Sequence, residues 1–229
     1  MVAARLRWTG IRLAGVILIC VGIGCYAVWY VWVSTRVDRP VNMPISLAVG
    51  RVQSPAFKVN RNAPYLIQIE VQKKLPFDTL NCLLGTAMAP ASTEVQECPD
   101  RPSVVKASWV LVSDGTTIAA GASDDKRAGI WGNQSISRIL GTFEAESGRS
   151  YALLVDVLAD GSALGPGNPH LKVEVSSAVY EDEMVEGAIL SLAMVILVVV
   201  GVVLLFIARR KTRRTRSAAA DPVSLPNRD

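Results

Sequence analysis

The sequence predicts a membrane protein with two transmembrane α-helices that flank an all-β extracytoplasmic domain, folded as an antiparallel sandwich or a jelly roll. Three observations predict this class: two long uncharged runs, basic residues gathered outside those runs, and alternating apolar and polar residues between them. The composition agrees, because 50% of the 229 residues are hydrophobic and only 19% are charged. Soluble domains usually carry about 25% charged residues.

The first and last elements are the apolar runs Leu13 to Val33 and Gly187 to Ala208, which contain no charged residue. A helix rises about 1.5 Å per residue, so about 20 residues cross a hydrocarbon core of roughly 30 Å. Aromatic residues, typical of a membrane interface, gather at one end of the first run: Tyr26, Trp29, Tyr30 and Trp32. This run exceeds the roughly 7–15 apolar residues of a signal peptide, so we expect a retained anchor.

Charge orients the two predicted spans. The segment 37–186 holds 13 Lys and Arg against 18 Asp and Glu, whereas the basic residues of the flanks lie before Leu13 and after Ala208. The flanking residues are Arg5, Arg7 and Arg12, and then Arg209, Arg210, Lys211, Arg213, Arg214 and Arg216. The positive-inside rule therefore places both termini in the cytoplasm. The predicted division is an N-terminal arm (1–12), a span (13–33), a translocated domain (34–186), a span (187–208) and a basic, disordered tail (209–229).

Strands are predicted throughout the middle segment. In residues 65–72 and 171–176 apolar and polar residues alternate with a period of two, as in strands with one buried face. Further strands are expected over residues 45–52, 104–112, 117–122, 136–144 and 151–158. Asp114-Gly115 indicates a hairpin, and Ser147-Gly148 and Asp160-Gly161 mark other turns. One short helix is expected over residues 87–96, and a mixed α+β domain remains the alternative.

The four cysteines divide into two pairs. Cys82 and Cys98 lie in the predicted translocated domain, where an oxidising compartment favours a disulfide over two buried thiols. A disulfide that closes a loop of this length would contribute about 3 kcal/mol to stability. Cys20 and Cys25 lie in the first span and are expected to pack as small apolar groups.

Residues suited to catalysis or metal binding are scarce. His170 is the single histidine, so a Ser-His-Asp triad or a zinc site would have to use it. We expect His170 to be an exposed loop residue. No phosphate-binding or dinucleotide-binding glycine motif is present. We therefore expect no enzyme activity, no cofactor and no metal.

Four aspartates support an alternative interpretation, in which the chain is an enzyme. Asp124, Asp125, Asp156 and Asp160 lie near predicted strand ends. A facing pair separated by roughly 5–9 Å would suit a glycoside hydrolase, whereas solvated turn charges need no pairing. An extracytoplasmic hydrolase that uses carboxylates alone is the second functional interpretation.

Two features suggest binding. Trp131, in a glycine-flanked loop, is a candidate recognition residue, with packing against the core as the alternative. The basic cluster Arg209, Arg210, Lys211, Arg213, Arg214 and Arg216 directly follows a span, where it would contact anionic lipid rather than nucleic acid.

The predicted function is binding without catalysis. We expect an accessory or scaffolding subunit of an envelope complex, or a sensor, in a bacterial inner membrane with its central domain periplasmic or extracellular. Its partners would be the lipid bilayer and another membrane or envelope protein, with homo-oligomer formation left open. An accessory subunit of a transporter or channel is a third interpretation, although neither span carries an Asp, Glu, His, Lys or Arg residue.

Overall fold

The computed structural model describes residues 2–86, 103–123 and 128–220, with the backbone alone for residues 2–9 and 211–220. The chain separates into two units. Residues 1–35 and 182–229 form a helical unit, and residues 36–181 form a β unit. Three α-helices are present in the described residues: α1 (Val2–Ser34), α2 (Phe77–Leu84) and α3 (Ser177–Ala220).

Ten strands build the β unit in the described residues: β1 (Val41–Pro44), β2 (Gly50–Gln53), β3 (Phe57–Lys58), β4 (Ala63–Gln72), β5 (Ala107–Ser113), β6 (Thr116–Ala122), β7 (Gly129–Trp131), β8 (Ser135–Ala145), β9 (Ser150–Val157) and β10 (His170–Val175). A 3₁₀ helix, Ser162–Gly167, lies between the last two strands.

The strands form two sheets in which every neighbouring pair is antiparallel. Sheet 1 has the order β1-β10-β4-β8-β7. Sheet 2 has the order β2-β9-β5-β6, with β3 also pairing with β9. The sequence-based prediction of a sheet-rich domain with antiparallel strands is therefore confirmed.

One apolar core is shared by the two sheets. From sheet 1 the alternate residues Tyr65, Ile67, Ile69 and Val71 of β4 are fully buried, as the period-two pattern predicts. From sheet 2 the core receives Trp109 and Leu111 of β5 and Leu153 and Val155 of β9. The alternation arises because successive side chains of a strand point to opposite faces.

The hairpin between β5 and β6 turns at Asp114 and Gly115, whose φ angles are 50° and 76°. Two consecutive positive φ angles match the right-handed twist of the flanking strands, and Asp-Gly is a preferred sequence for such a turn. Gly148, with φ of 82°, turns the chain between β8 and β9. Because β8 belongs to sheet 1 and β9 to sheet 2, this second turn connects the two sheets.

The predicted strand over residues 45–52 is wrong in its extent. Ile45 and Leu47 are buried as its alternation requires, but they lie between β1 and β2, where the chain passes from sheet 1 to sheet 2. The Ile45 N–H donates to the carbonyl of Pro169 (3.0 Å), and the Leu47 carbonyl accepts from Gly161 N–H (2.8 Å). The alternation in burial is therefore as the sequence predicts. The backbone hydrogen bonds of Ile45 and Leu47, however, go to Pro169 and Gly161, which lie outside the strands.

The β unit contains helix α2 as well as its strands, whereas the sequence predicts an all-β domain. Leu80 and Leu84, four residues apart, are both fully buried on one helix face. Gly85 ends the helix in the left-handed conformation, and its N–H approaches the carbonyls of Asn81 and Cys82 at 2.9 and 3.0 Å. The short helix predicted over residues 87–96 lies outside the described residues.

A buried arginine joins several segments of the β unit. Arg138 of β8 is 1% exposed. Its Nη1 donates to the carbonyl of Leu84 at the end of α2 and to Ser103 Oγ (2.5 and 2.7 Å), and its Nη2 donates to the carbonyl of Ser123 (2.6 Å). Arg138 therefore connects β8 to the end of α2 and to the segments that contain Ser103 and Ser123.

Both long helices extend beyond the apolar runs. Helix α1 ends where the hydroxyls of Ser34 and Thr35 donate to the carbonyls of Val31 and Trp32 (2.8 and 2.9 Å). Helix α3 continues past Ala208 to Ala220, into the tail that was expected to be disordered. Arg, Lys and Ala are strong helix formers, and this part of the tail contains neither Gly nor Pro.

Candidate interaction surfaces

Helices α1 and α3 approach closely at glycines that are seven residues apart in α1 and fourteen residues apart in α3. Gly15 of α1 faces Gly201 of α3 so closely that a Cβ on Gly15 would lie 2.9 Å from the Gly201 carbonyl oxygen. Seven residues along α1, a Cβ on Gly22 would lie 3.3 Å from the carbonyl oxygen of Met194. These contacts run in opposite directions along the two chains, so α1 and α3 pack antiparallel.

The same spacing continues seven residues, or about two helical turns, further along the pair. Gly187 faces Trp29, and a Cβ on Gly187 would lie 2.8 Å from the indole ring. A repeat of seven residues keeps one face of each helix toward its partner over several turns. Small residues at such positions let two helix backbones approach, which is how helices associate in lipid.

Away from these glycine contacts, the two helices expose apolar side chains. Only 6% of the apolar window of Gly10–Ser34 and 11% of that of Ser177–Arg210 are buried. Large hydrophobic residues such as Leu13, Val28 and Ile189 are more than half exposed. Two helices are thus long and apolar enough to cross a membrane, as the sequence predicts.

The basic cluster that follows the second apolar run begins on the same helix. Arg209 and Arg210 are exposed, and the Arg210 guanidinium lies 4.4 Å from the centroid of the Phe206 ring. Lys211, Arg213, Arg214 and Arg216 continue the α3 backbone. Contact of this cluster with lipid stays a prediction.

The outer face of sheet 1, turned away from the core, is polar and charged. Glu174 of β10 accepts from Arg39 Nη2 (2.6 Å) and from Gln68 Nε2 (3.1 Å). The hydrogen bond that Arg39 donates to Glu174 raises the pKa of Arg39. Lys172 pairs with Glu70 on the neighbouring strand β4. These paired charges cover the middle of the sheet with hydrogen-bonded side chains.

The centre of the outer face of sheet 2 is apolar instead. Val110 of β5 lies opposite Ala120 of β6 and Leu154 of β9, and Val112 lies opposite Ala152. Ala120 is exposed and the other four are half-buried. An antiparallel sheet usually turns polar residues to solvent, so this apolar patch is the feature of the β unit that most favours contact with another molecule.

His170 is held by two asparagines. Its Nδ1 lies 2.9 Å from Asn42 Oδ1, and its Nε2 lies 3.1 Å from Asn168 Nδ2. A neutral ring protonated at Nδ1 would donate to Asn42 and accept from Asn168. His170 is the first residue of β10 and is half-buried, not in an exposed loop as expected. The described ranges contain no group of three side chains suited to a metal ion.

Of the four candidate carboxylates, the structure describes Asp156 and Asp160, and each of these forms hydrogen bonds with other residues. Asp156 receives two hydrogen bonds from Arg51, at 2.7 and 2.9 Å, and this guanidinium holds the pKa of Asp156 below its usual value. A catalytic general acid needs a raised pKa. Asp160 accepts from the backbone and hydroxyl of Ser162 (3.0 and 3.1 Å), as turn residues do. Asp124 and Asp125 lie outside the described residues.

Trp131 ends strand β7 and does not lie in a loop. It pairs with the buried Ile136 of β8, which places both side chains on the inner face of sheet 1, and its ring packs against the core while remaining half-buried. The short strand escaped sequence analysis because only three residues pair. The role of Trp131 in recognition stays a prediction.

The cysteines are described in part. Cys82 lies on α2 and is half-buried, whereas Cys98 lies outside the described residues, so their disulfide stays a prediction. Cys20 and Cys25 are free and exposed on α1, toward the surroundings of the helix pair.

Comparisons with known proteins add little. No protein-family model matches the chain, and no curated protein matches it. Among solved structures, a crystal structure of a protein from Sulfurospirillum deleyianum is similar over 61% of this chain and 99% of its own, with 14% identity and a TM-score of 0.45. A likeness at this level carries no functional argument.

Proposed function

We propose that this chain is a two-pass membrane protein whose β unit binds another membrane or envelope protein and has no catalytic activity of its own. In this proposal both termini are cytoplasmic, the membrane is a bacterial inner membrane, and the two sheets form a sandwich on its outer side. The observation that carries the binding role is the apolar patch at the centre of the outer face of sheet 2, composed of Val110, Val112, Ala120, Ala152 and Leu154.

The exposed apolar surface of α1 and α3 supports membrane insertion. Transfer of apolar surface from water into an apolar environment stabilises by about 25 cal/mol per Å². Side chains such as Val28, at 72% exposure, gain nothing from the packing of α1 on α3. Lipid around the pair supplies the missing apolar environment, and both helices satisfy their backbone hydrogen bonds internally.

The contrast between the two sheets supports a binding role for the β unit. In the middle of the outer face of sheet 1, charged side chains are paired with one another, as in the ion pair between Lys172 and Glu70. The patch on sheet 2 is apolar and is bordered by the exposed ion pair of Arg51 with Asp156. An apolar centre with a polar rim is the usual anatomy of a protein interface.

A single charge in the patch tests this role. We expect Ala120→Lys, in the full-length tagged chain, to abolish capture of a partner from detergent-solubilised native membranes. Ala120 is exposed on β6, so the substitution needs no space in the core. An unpaired charge in an interface costs about 2 kcal/mol or more, which weakens binding by about thirtyfold or more.

The matched control is Thr142→Lys, which adds the same charge at an exposed strand position of sheet 1. Quantitative mass spectrometry should find one membrane protein with the wild type and with Thr142→Lys, but not with Ala120→Lys. Equal recovery with both variants, or no stable partner with the wild type, would contradict the proposal. Unfolding midpoints close to that of the wild type confirm that both variants are folded.

A further inference from the structure

We propose that the free edge of strand β6 binds an extended segment of another protein, which adds a further strand to sheet 2. The inference rests on the proposed function, because Ala120 of β6 belongs to the apolar patch on the same sheet. It specifies the form of the contact, in which backbone hydrogen bonds to β6 lie beside the patch. Strand β6 is at the edge of sheet 2, since in the described residues it pairs with β5 alone.

Four strands lie at sheet edges in the described part of the β unit: β1 and β7 in sheet 1, and β2 and β6 in sheet 2. Proteins usually protect such edges by short strands, charged side chains or proline. Strand β1 has four residues and ends with Pro44, β2 has four residues and carries Arg51, and β7 has three residues. Strand β6 has seven residues, with neither a charged residue nor a proline.

The hydrogen-bond pattern identifies the backbone groups on the free edge of β6. Hydrogen-bonded and non-hydrogen-bonded pairs alternate along two antiparallel strands. The Ser123 N–H donates to the carbonyl of Ala107 (2.8 Å), so these two residues form a hydrogen-bonded pair at the end of the β5–β6 ladder. Two residues earlier, Gly121 also directs its N–H and C=O toward β5, whereas Ala120 directs both groups away from β5.

A β-bulge keeps a second set of free groups in line with the first. The register of the hairpin shifts at Ile118, which is the extra residue on β6. Val112 lies opposite Thr117, and Val110 lies opposite Ala120. Because the two valines are two residues apart on β5, both pairs are of the non-hydrogen-bonded type. Thr117 and Ala120 therefore direct N–H and C=O groups to the free edge at the spacing of a regular strand.

These groups select an extended polypeptide as the occupant. Thr117 and Ala120 are exposed, and within the described ranges neither backbone forms a hydrogen bond outside the hairpin. Such an edge matches the backbone of another strand, whereas the backbone groups of a helix are bonded within the helix. Alanine and glycine at positions 119–121 leave the edge uncovered by large side chains. The uncharged strand favours an incoming segment of small or apolar residues, because β6 offers no opposite charge to pair with.

Two substitutions of Ala120 test the role of its backbone N–H. Proline and valine have apolar side chains of similar volume, but proline has no N–H to donate. We expect Ala120→Pro to weaken binding of the partner by about tenfold or more relative to Ala120→Val, in captures by the full-length tagged chain from detergent-solubilised native membranes. Proline is tolerated on an edge strand where its nitrogen faces outward, and unfolding midpoints check that both variants are folded.

Photo-cross-linking identifies the occupant of the edge. The photoreactive residue p-benzoylphenylalanine replaces Thr117 in the full-length chain, and in the control it replaces Thr142, an exposed strand position of sheet 1. Cells are illuminated, and the cross-linked peptides are sequenced by mass spectrometry. We expect the probe at position 117 to label one short segment of a membrane or envelope protein, and the probe at position 142 to leave that segment unlabelled.

Three outcomes would overturn the inference: equal binding by Ala120→Pro and Ala120→Val, cross-links from position 117 scattered over many segments, or cross-links from this position to a second copy of the chain. Failure of the inference is distinguishable from failure of the proposed function. Loss of the partner with Ala120→Lys, but equal binding by the proline and valine variants, would refute strand addition alone. Absence of a stable partner for the wild type would refute both.

Discussion

Replacement of Trp109 by alanine is expected to lower the free energy of unfolding of the β unit by about 3–5 kcal/mol. Trp109 is 4% exposed in the shared core, and its indole Nε1 donates to the carbonyl of Leu140 on the opposite sheet (3.0 Å). The ring lies directly over Gly121 and Gly141: a Cβ on Gly141 would lie 2.1 Å from Trp109 Cζ2. Because two of the positions against this ring are glycines, they supply no side chain to fill the space that alanine leaves.

Urea unfolding of the full-length chain in detergent, followed by near-ultraviolet circular dichroism, measures this loss. Val110→Ala is the matched control, since Val110 is the next residue on the same strand but lies half-buried on the outer face. We expect it to cost about 1 kcal/mol or less. A loss for Trp109→Ala no greater than that for Val110→Ala would show that the two sheets do not pack through this ring.

Replacement of Arg138 by methionine is expected to destabilise the β unit by about 2–5 kcal/mol. Methionine fills much of the same volume but cannot donate to the carbonyls of Leu84 and Ser123, which lie against the guanidinium. Lysine is not expected to restore stability, because an ammonium group lacks the planar arrangement of donors that reaches both carbonyls and Ser103 Oγ.

Hydrogen exchange locates the effect of this substitution. Exchange of the α2 amides should accelerate in Arg138→Met more than exchange of the central strand β4. The control is Arg51→Met, which removes an exposed arginine paired with Asp156 and should leave the unfolding midpoint close to that of the wild type. Full rescue by Arg138→Lys, or unchanged α2 exchange in Arg138→Met, would contradict the role of the guanidinium.

Prediction from sequence succeeded where one face of an element is buried and the other is polar. The alternation in β4 and β10, and the Asp114-Gly115 turn, each carry a local signal that tertiary contacts do not change. Helix α2 escaped prediction because its signal is short: two buried leucines four residues apart, preceded by Pro76 and followed by Gly85.

The candidate interaction surfaces depend on which strands become neighbours, and a single sequence does not contain that information. The continuous apolar runs 109–112 and 151–155 could have indicated strands that are apolar on both faces, but their meeting in sheet 2 follows from the pairing of β5 with β9. Similarly, the seven-residue spacing of Gly15 and Gly22 is visible in the sequence, whereas their partners on α3 appear only when the helices pack.

Extraction of membranes with alkaline carbonate tests most directly whether α1 and α3 lie in lipid. We predict that the intact chain, expressed in bacteria, stays with the sedimented membranes after the wash, together with an integral membrane protein used as a marker. Release of the full-length chain into the supernatant, with the marker retained in the pellet, would contradict a transmembrane position of the two helices.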